Sequence, residues 1–324
     1  MTKPLARGVL ASLLLLHSTI SFAASGSTGA AFLQIPVGAG PAAMGSAYSA
    51  LATDAYAPVW NPAGLGYVHQ PEVAAQHLSY LEAIHYEFLS LALPVKEGRS
   101  VGFSAQYLGS GGIAGFDVQG LPQPSYSTEY GAYSVAYGQT IGSRLSLGLT
   151  GKFLQAKISD VSALAFSEDF GGLYKVDDKT TLAAVLSNAP WPLPWPHNKL
   201  QFLNDDSPLP LAFRLGGSYQ AERRLMLSGE IEIPKGEAPN GRFGVEWKPL
   251  PPLALRAGYR TTNANELGVI AHFSVGMGLT LWGQEFSYAW VPYGDLGETQ
   301  YFSFVFRWGA NGGDAHNLTR GVTP

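Results

Sequence analysis

Bulky apolar residues recur at every second position along much of this chain, with small or charged residues between them. Phe273, Val275, Met277, Leu279 and Leu281 alternate with His272, Ser274, Gly276, Gly278 and Thr280. Phe302, Phe304, Phe306 and Trp308 alternate with Tyr301, Ser303, Val305 and Arg307. Shorter runs repeat the pattern: Phe286, Tyr288 and Trp290 against Glu285, Ser287 and Ala289, and Phe243, Val245 and Trp247 against Arg242, Gly244 and Glu246. Leu211, Phe213, Leu215 and Tyr219 stand against Arg214, Gly216 and Ser218, and Leu145, Leu147, Leu149 and Phe153 against Ser146, Gly148, Thr150 and Lys152. A strand turns successive side chains to opposite faces, so each set occupies one face of a sheet. A soluble β-sandwich shows the same alternation with its apolar face turned inward, so a second feature has to decide.

That feature is what accompanies the strands. The chain is 46% hydrophobic and only 14% charged, whereas soluble domains carry about 25% charged residues. Beyond residue 23 no run of ~18 uncharged apolar residues exists, which excludes a bundle of spanning helices. A transmembrane β-barrel reconciles these facts, because it disperses its apolar residues at alternate positions. About fourteen strands are expected, near 73–80, 86–94, 101–108, 129–140, 145–156, 163–174, 181–187, 211–220, 225–233, 242–248, 253–260, 268–281, 284–293 and 300–308. Short links such as 96–99, 141–143, 176–179, 221–223, 249–252 and 282–283 alternate with generally longer ones at 109–128, 188–210, 234–240 and 294–299. Short turns at one end and longer loops at the other are the outer-membrane barrel pattern. An even strand count returns both ends of the barrel to the same side.

The N-terminus reads as a secretory signal peptide, residues 1–23. Lys3 and Arg7 supply the positive region, 9–16 the apolar core and Ser21-Phe22-Ala23 a cleavage site. The alternative, a helical anchor, needs about 20 spanning residues, more than this apolar run provides. Residues 24–70 then form a segment ahead of the first strand, 71–308 the barrel and 309–324 a periplasmic tail. The location expected is the bacterial outer membrane. With no cysteine there is no thiol nucleophile, disulfide or Cys-based metal site. A net charge of −4 gives nucleic acid no basic surface.

The segment 24–70 differs from the rest. Residues 38–51 are rich in Ala and Gly and suggest a short helix with Pro41 in its first turn, broken by 54–58. Trp60-Asn61-Pro62-Ala63-Gly64 follows, and Asn-Pro initiates a turn. Too short for a domain, this stretch reads as a plug inside or beneath the barrel.

Residues 42–65 (AAMGSAYSALATDAYAPVWNPAGL) resemble the N-terminal motif of FadL-like outer-membrane proteins, and of the PorV and PorQ proteins in particular. Residues 209–216 (LPLAFRLG) and 288–297 (YAWVPYGDLG) are similar to that family's entry into a mid-chain strand and to its penultimate strand and loop. The resemblance implies a fourteen-stranded barrel with an N-terminal plug. It also implies one of two activities: handling cargo of the type IX secretion route, as PorV relatives do, or passing hydrophobic compounds, as FadL relatives do. The chain departs from the usual barrel by continuing past its terminal aromatic, Trp308, to Pro324.

Candidate sites follow from these readings. Asn61-Pro62-Ala63 either anchors the plug in the lumen or shapes a gate, or is a plain turn capping a helix, and a structural plug role carries more weight because nothing in it is chemically reactive. Lys152, Arg214, Glu230, Glu232, Arg242, Glu246, Arg256, Glu285 and Arg307 fall on the faces opposite the aromatics. They are either a selectivity lining or mutually paired charges holding barrel and plug together, and the second carries more weight because a polar interior is general for such barrels. Trp191 and Trp195 lie in a long loop, where exposed indoles suit a membrane interface, a barrel mouth or a protein partner. Asp205-Asp206 offers Ca²⁺ two carboxylates without a fuller ligand pattern. No metal or cofactor site is expected.

No Gly-x-Ser-x-Gly elbow, His-Glu-x-x-His or phosphate loop is present, and Gly109-Ser110-Gly111-Gly112 reads as a loop. Ser79, His85 and Glu87 could be imagined as a lipid hydrolase, a grouping that chance explains. The expectation is therefore a non-enzymatic outer-membrane barrel of the PorV/PorQ type, in contact with outer-membrane lipid and binding exported protein cargo or secretion machinery. The alternatives are a FadL-like channel for a hydrophobic ligand and, more remotely, an outer-membrane hydrolase.

Overall fold

The computed structural model describes residues 28–80, 84–190, 199–202, 205–261, 268–294 and 297–309. The expected signal peptide, Trp191, Trp195 and all but the first residue of the expected tail lie outside them.

Among the described residues there are eighteen strands. In chain order they are β1 (Glu72–Tyr80), β2 (Ile84–Lys96), β3 (Arg99–Ser110), β4 (Ile113–Phe116), β5 (Pro122–Tyr126), β6 (Thr128–Ile141), β7 (Leu145–Ile158), β8 (Val161–Lys175) and β9 (Thr180–Pro190). They continue as β10 (Lys199–Phe202), β11 (Asp205–Pro208), β12 (Ala212–Glu222), β13 (Leu225–Pro234), β14 (Asn240–Leu250), β15 (Leu253–Arg260), β16 (Phe273–Leu281), β17 (Gln284–Pro292) and β18 (Glu298–Arg307). Fourteen of them form one closed antiparallel barrel in which each strand pairs with its chain neighbour in the wall. β1 and β18 close it, from Glu72 opposite Arg307 to Ser79 opposite Gln300. Closure leaves no strand edge unpaired, a requirement for backbone that crosses a bilayer.

The alternation sets the two faces of the wall. Phe302 is 51% exposed and its neighbour Ser303 8%; Val275 is 47% exposed and Ser274 1%. Bulky residues thus meet the surroundings and small ones the lumen along these strands. This arrangement is stable only where the surroundings are lipid, because so large an apolar surface in water would associate.

Three local differences from the sequence reading have physical causes. The strand expected from 268 begins at Phe273, because Gly268 takes a φ of 80° and Val269–His272 coils into a 3-10 turn. The two long links are not plain loops: β4–β5 and β10–β11 form small hairpins over one end of the barrel, which we term the loop end. Gly109 and Ser110 finish β3 instead of belonging to a loop.

The segment before β1 enters the barrel. It runs from a 3-10 turn (Ala31–Gln34) through a helix at Ala39–Ala43, a helical turn at Ala57–Trp60 and a 3-10 turn at Pro62–Tyr67. The short helix expected within 38–51 is Ala39–Ala43, with Pro41 inside it, and the chain leaves helical geometry where Gly45 and Ser46 adopt φ of 63° and 66°. Residues 54–58 are expected to break that helix; it has ended well before them, and Pro58 sits in the first turn of a separate one, Ala57–Trp60. Proline is preorganised for that position, having no N–H to lose there.

Candidate functional site: the plugged lumen

Nine buried alanines between Ala39 and Ala63 let the plug backbone approach the wall closely. Glycines on the inward face receive it. A side chain at Gly148 would strike the Pro62 carbonyl group, and one at Gly258 the backbone of Gly45. Glycine in a strand weakens it, and close backbone approach is one reason to keep it there.

Little of the plug is regular structure, so its buried N–H and C=O groups need partners from elsewhere. Short polar side chains of the wall supply them. Ser303 Oγ accepts from Ala39 N at 3.0 Å. Ser274 Oγ accepts from Gly45 N at 3.1 Å and donates to Ala43 O at 3.0 Å. Thr150 donates to Pro58 O at 2.9 Å and Ser146 to Ala63 O at 2.6 Å. Gln76 accepts from Gly38 N.

Asn61 is fully buried at the centre of the expected motif. Its Oδ1 accepts from Ala63 N at 3.1 Å, capping the Pro62–Tyr67 turn. Its Nδ2 donates to Ser49 O at 3.0 Å within the plug and to Gly172 O at 3.2 Å on β8. The residue therefore caps a turn and ties that turn to the wall at once. Trp60 Nε1 donates to Val37 O at 2.8 Å, and the Trp60 carbonyl accepts from Arg214 Nη2 at 2.9 Å. Pro62, Ala63 and Gly64 are buried with them.

The nine charges assigned from the sequence to the faces opposite the aromatics all face the lumen, and all but Arg214 fall into three groups. Arg256 is the centre of the first: Nε meets Glu246 at 2.8 Å, Nη2 meets Glu285 at 2.7 Å and Nη1 donates to Ser287 at 2.8 Å. Arg307 extends this chain of alternating charge, lying 3.9 Å from Glu285 and 3.1 Å from Glu72. Glu72 then accepts from Ala55 N of the plug at 3.2 Å. In the second group Arg242 pairs with Glu232 and lies 3.5 Å from Glu230. Glu230 accepts from Ser49 N at 3.0 Å. In the third, Lys152 meets Asp169 and Asn188, each at 2.7 Å. Two groups thus end on plug backbone, and Arg214 reaches the plug on its own. Glu72, Asp169, Asp54 and the hydroxyl residues escaped the sequence reading. Tyr56, wholly enclosed in the plug, has its phenol held well above the ordinary range by burial.

The inward face is not polar everywhere. Towards the loop end, Leu78, Tyr86, Phe88, Leu154, Val291 and Tyr301 all point inward and are buried. With Ala132, Ala156, Ala163 and Ala165 they form an apolar arc over β17, β18, β1, β2, β6, β7 and β8, interrupted on β3 by Gln106, which accepts from the Tyr86 hydroxyl at 3.2 Å. Phe32 of the plug packs into it, its ring 5.6 Å from that of Tyr130, and Leu200 of β10 covers it from the loop end. The opposite arc, β9 to β16, carries Arg214, Glu230, Arg242 and Ser274. The lumen at this level is therefore half apolar and half polar.

Other expected sites do not assemble. Glu87 pairs with His77 at 2.6 Å on the outward face, which removes it from a grouping with His85. Asp206 is paired with Lys199 at 2.9 Å. Among the described residues no cluster of three His, Asp or Glu suits a metal ion.

No family model and no curated protein matches the sequence. Solved structures do. The Pseudomonas putida toluene transporter TodX superposes with a TM-score of 0.58 at 14% identity, over 83% of this chain and 96% of that one. The Ralstonia pickettii toluene transporter TbuX gives 0.57 at 12%, over 84% and 98%. A Pseudomonas aeruginosa FadL homologue gives 0.51 at 12%, over 84% and 98%. Identities this low establish likeness of fold. They agree with the wider FadL-like resemblance and lend nothing to the narrower PorV/PorQ one.

Proposed function

We propose that this chain is an outer-membrane conduit for apolar small molecules, exported with a cleaved signal peptide and gated by its N-terminal plug. One observation carries the reading: the apolar arc at the loop end of a lumen whose charged side chains lie elsewhere. A molecule leaving water is stabilised by about 25 cal/mol per Å² of apolar surface it buries, and this arc is the place in the lumen that offers such burial. Phe32 occupies it in the closed state, so a ligand competes with the plug for the same surface. The loop end then faces outward and the short turns face the periplasm, as in barrels generally. The structures of similar fold include two toluene transporters, which supports an aromatic hydrocarbon as first probe. The protein acts on its ligand by binding alone, without chemistry.

A role in handling exported proteins has no comparable support, since its proposed surface, Trp191 and Trp195, lies outside the described residues. The test is uptake of radiolabelled toluene by cells carrying the chain in an outer membrane that otherwise excludes it. Leu154→Arg places an unpaired charge in the apolar arc, where burial costs several kcal/mol. Uptake at least tenfold lower, with normal barrel assembly judged by heat-modifiable migration in SDS gels, is expected. Uptake unchanged by Leu154→Arg, or absent from the wild type, overturns the reading.

A further inference from the structure

The outer wall carries a second feature that the lumen does not explain. A trough of about 520 Å³ opens on the lipid-facing surface across β1, β18, β17 and β16. Strand register shows how it arises. His77, Phe302, Tyr288 and Met277 are successive cross-strand partners and form one row. Ala75, Phe304, Phe286 and Leu279 form the next. The rings of Phe286 and Phe304 lie 4.5 Å apart and those of Tyr288 and Phe302 5.2 Å, so each row is a continuous ridge. Ala75 is the one small member of the two rows and lines the trough. Three strand spacings give a length of roughly 14 Å.

The end of the trough on β1 and β2 is polar. His77 Nδ1 and Glu87 Oε1 lie 2.6 Å apart, with their side chains 54% and 50% exposed. Each retains a second polar atom, Nε2 and Oε2, with no hydrogen bond to any described residue. Along β18 the outward positions are apolar from Trp308 to Phe302 and turn polar at Gln300 and Glu298. His77 sits opposite Phe302, one outward position inside that boundary. Ionisable groups within the apolar band are costly unless they serve a partner, and water is scarce there to satisfy them.

The geometry points to this trough as a binding site for a lipid-soluble alcohol of the outer leaflet, its hydroxyl on the His77–Glu87 pair and its apolar body between the two aromatic rows. A hydroxyl both donates and accepts, which matches one ring nitrogen and one carboxylate oxygen side by side. A carboxylate of equal length is repelled by Glu87, and a plain hydrocarbon leaves the pair unsatisfied. The site is separate from the lumen and does not depend on the proposed conduit.

The experiment uses the full chain in phosphatidylcholine vesicles and three photoreactive twelve-carbon probes that differ only at one end: alcohol, carboxylate and hydrocarbon. Crosslinks are mapped by mass spectrometry. The alcohol is expected to label peptides of β16 to β18 at least fivefold more than the other two. Ala75→Phe, which fills the trough and keeps the pair, removes the excess, and so does the double variant His77→Leu with Glu87→Leu. Both variants place apolar groups against lipid, so assembly is preserved and is checked by heat-modifiable migration. Equal labelling by the three probes, or an excess that survives either variant, overturns the assignment.

Discussion

Replacing Asn61 by alanine should release the plug while leaving the barrel intact. The amide makes three hydrogen bonds, to Ala63 N at 3.1 Å, Ser49 O at 3.0 Å and Gly172 O at 3.2 Å. Each buried bond contributes about 1 kcal/mol net, and more when its loss strands a buried partner. Three together give about 3 kcal/mol against the closed state. Every 1.4 kcal/mol is a factor of about ten, so the open-to-closed ratio should rise roughly a hundredfold. Thr150→Val removes the single bond to Pro58 O at 2.9 Å and should raise it about fivefold by the same conversion.

The chain has no cysteine, so one introduced thiol reports without background. Ser46 is buried in the plug and its hydroxyl has no hydrogen-bond partner, which makes Ser46→Cys a near-isosteric reporter. Maleimide labelling of this thiol in folded, detergent-solubilised protein measures plug opening. Rates should rank Asn61→Ala, Thr150→Val and parent, in ratios near one hundred, five and one. Equal rates for Asn61→Ala and parent would refute the argument that these three bonds hold the plug. So would labelling that rises only when the barrel itself loses its compact SDS-gel migration, because plug and barrel would then open as one unit.

Arg256→Met strands Glu246 and Glu285 beside each other, and breaking a buried ion pair costs about 3–5 kcal/mol. The barrel should lose its compact gel migration at a lower temperature, and adding Glu246→Gln with Glu285→Gln should restore most of the loss. Tyr56 has a folded-state pKa raised by burial, so its contribution to stability is complete below the ordinary tyrosine value near 10 and declines as pH rises past it. Urea midpoints measured from pH 8 to 11 should fall at the alkaline end, and Tyr56→Phe should flatten that fall.

The barrel was legible because lipid imposes one rule on every strand. Phe302, Phe304 and Phe306 must face outward whatever lies inside, so the alternation survives in the bare sequence and locates all fourteen wall strands. The lumen obeys no such rule. Ser274, Ser303 and Thr150 read as small filler until the plug backbone arrives beside them. Lys152 could be placed on the inward face, but its partner Asp169 could not. The β8–β9 ladder shifts register between Glu168 and Phe170, and the irregularity brings Asn188 N to within 2.7 Å of Asp169. Asn61 stood out as part of a turn motif, yet its wall partner Gly172 is 111 residues away. His77, two strand positions from anything singled out beforehand, became visible only through its register with Glu87.

The chemistry of the plug bears on whether it can move. An alanine-rich segment buries little apolar area per residue, and its polar contacts exchange readily for water, at about 1 kcal/mol net for each bond. A plug held mainly by large apolar side chains would be permanent, because each such side chain costs about 1.5–3 kcal/mol to re-expose. Here the large apolar contacts with the wall are few: Phe32 against Tyr130 in the arc, Tyr56 against Phe88 of β2, and Leu65 beside Gly102 and Gly138. An apolar ligand that takes the place of Phe32 supplies the burial that ring gives up, and so lowers the cost of opening by the amount that contact contributed. Gating then follows from competition for one surface, and Phe32→Ala should bind hydrocarbon more tightly while labelling faster at Ser46→Cys. Tighter binding without faster labelling would mean that the ligand and the plug do not share the arc.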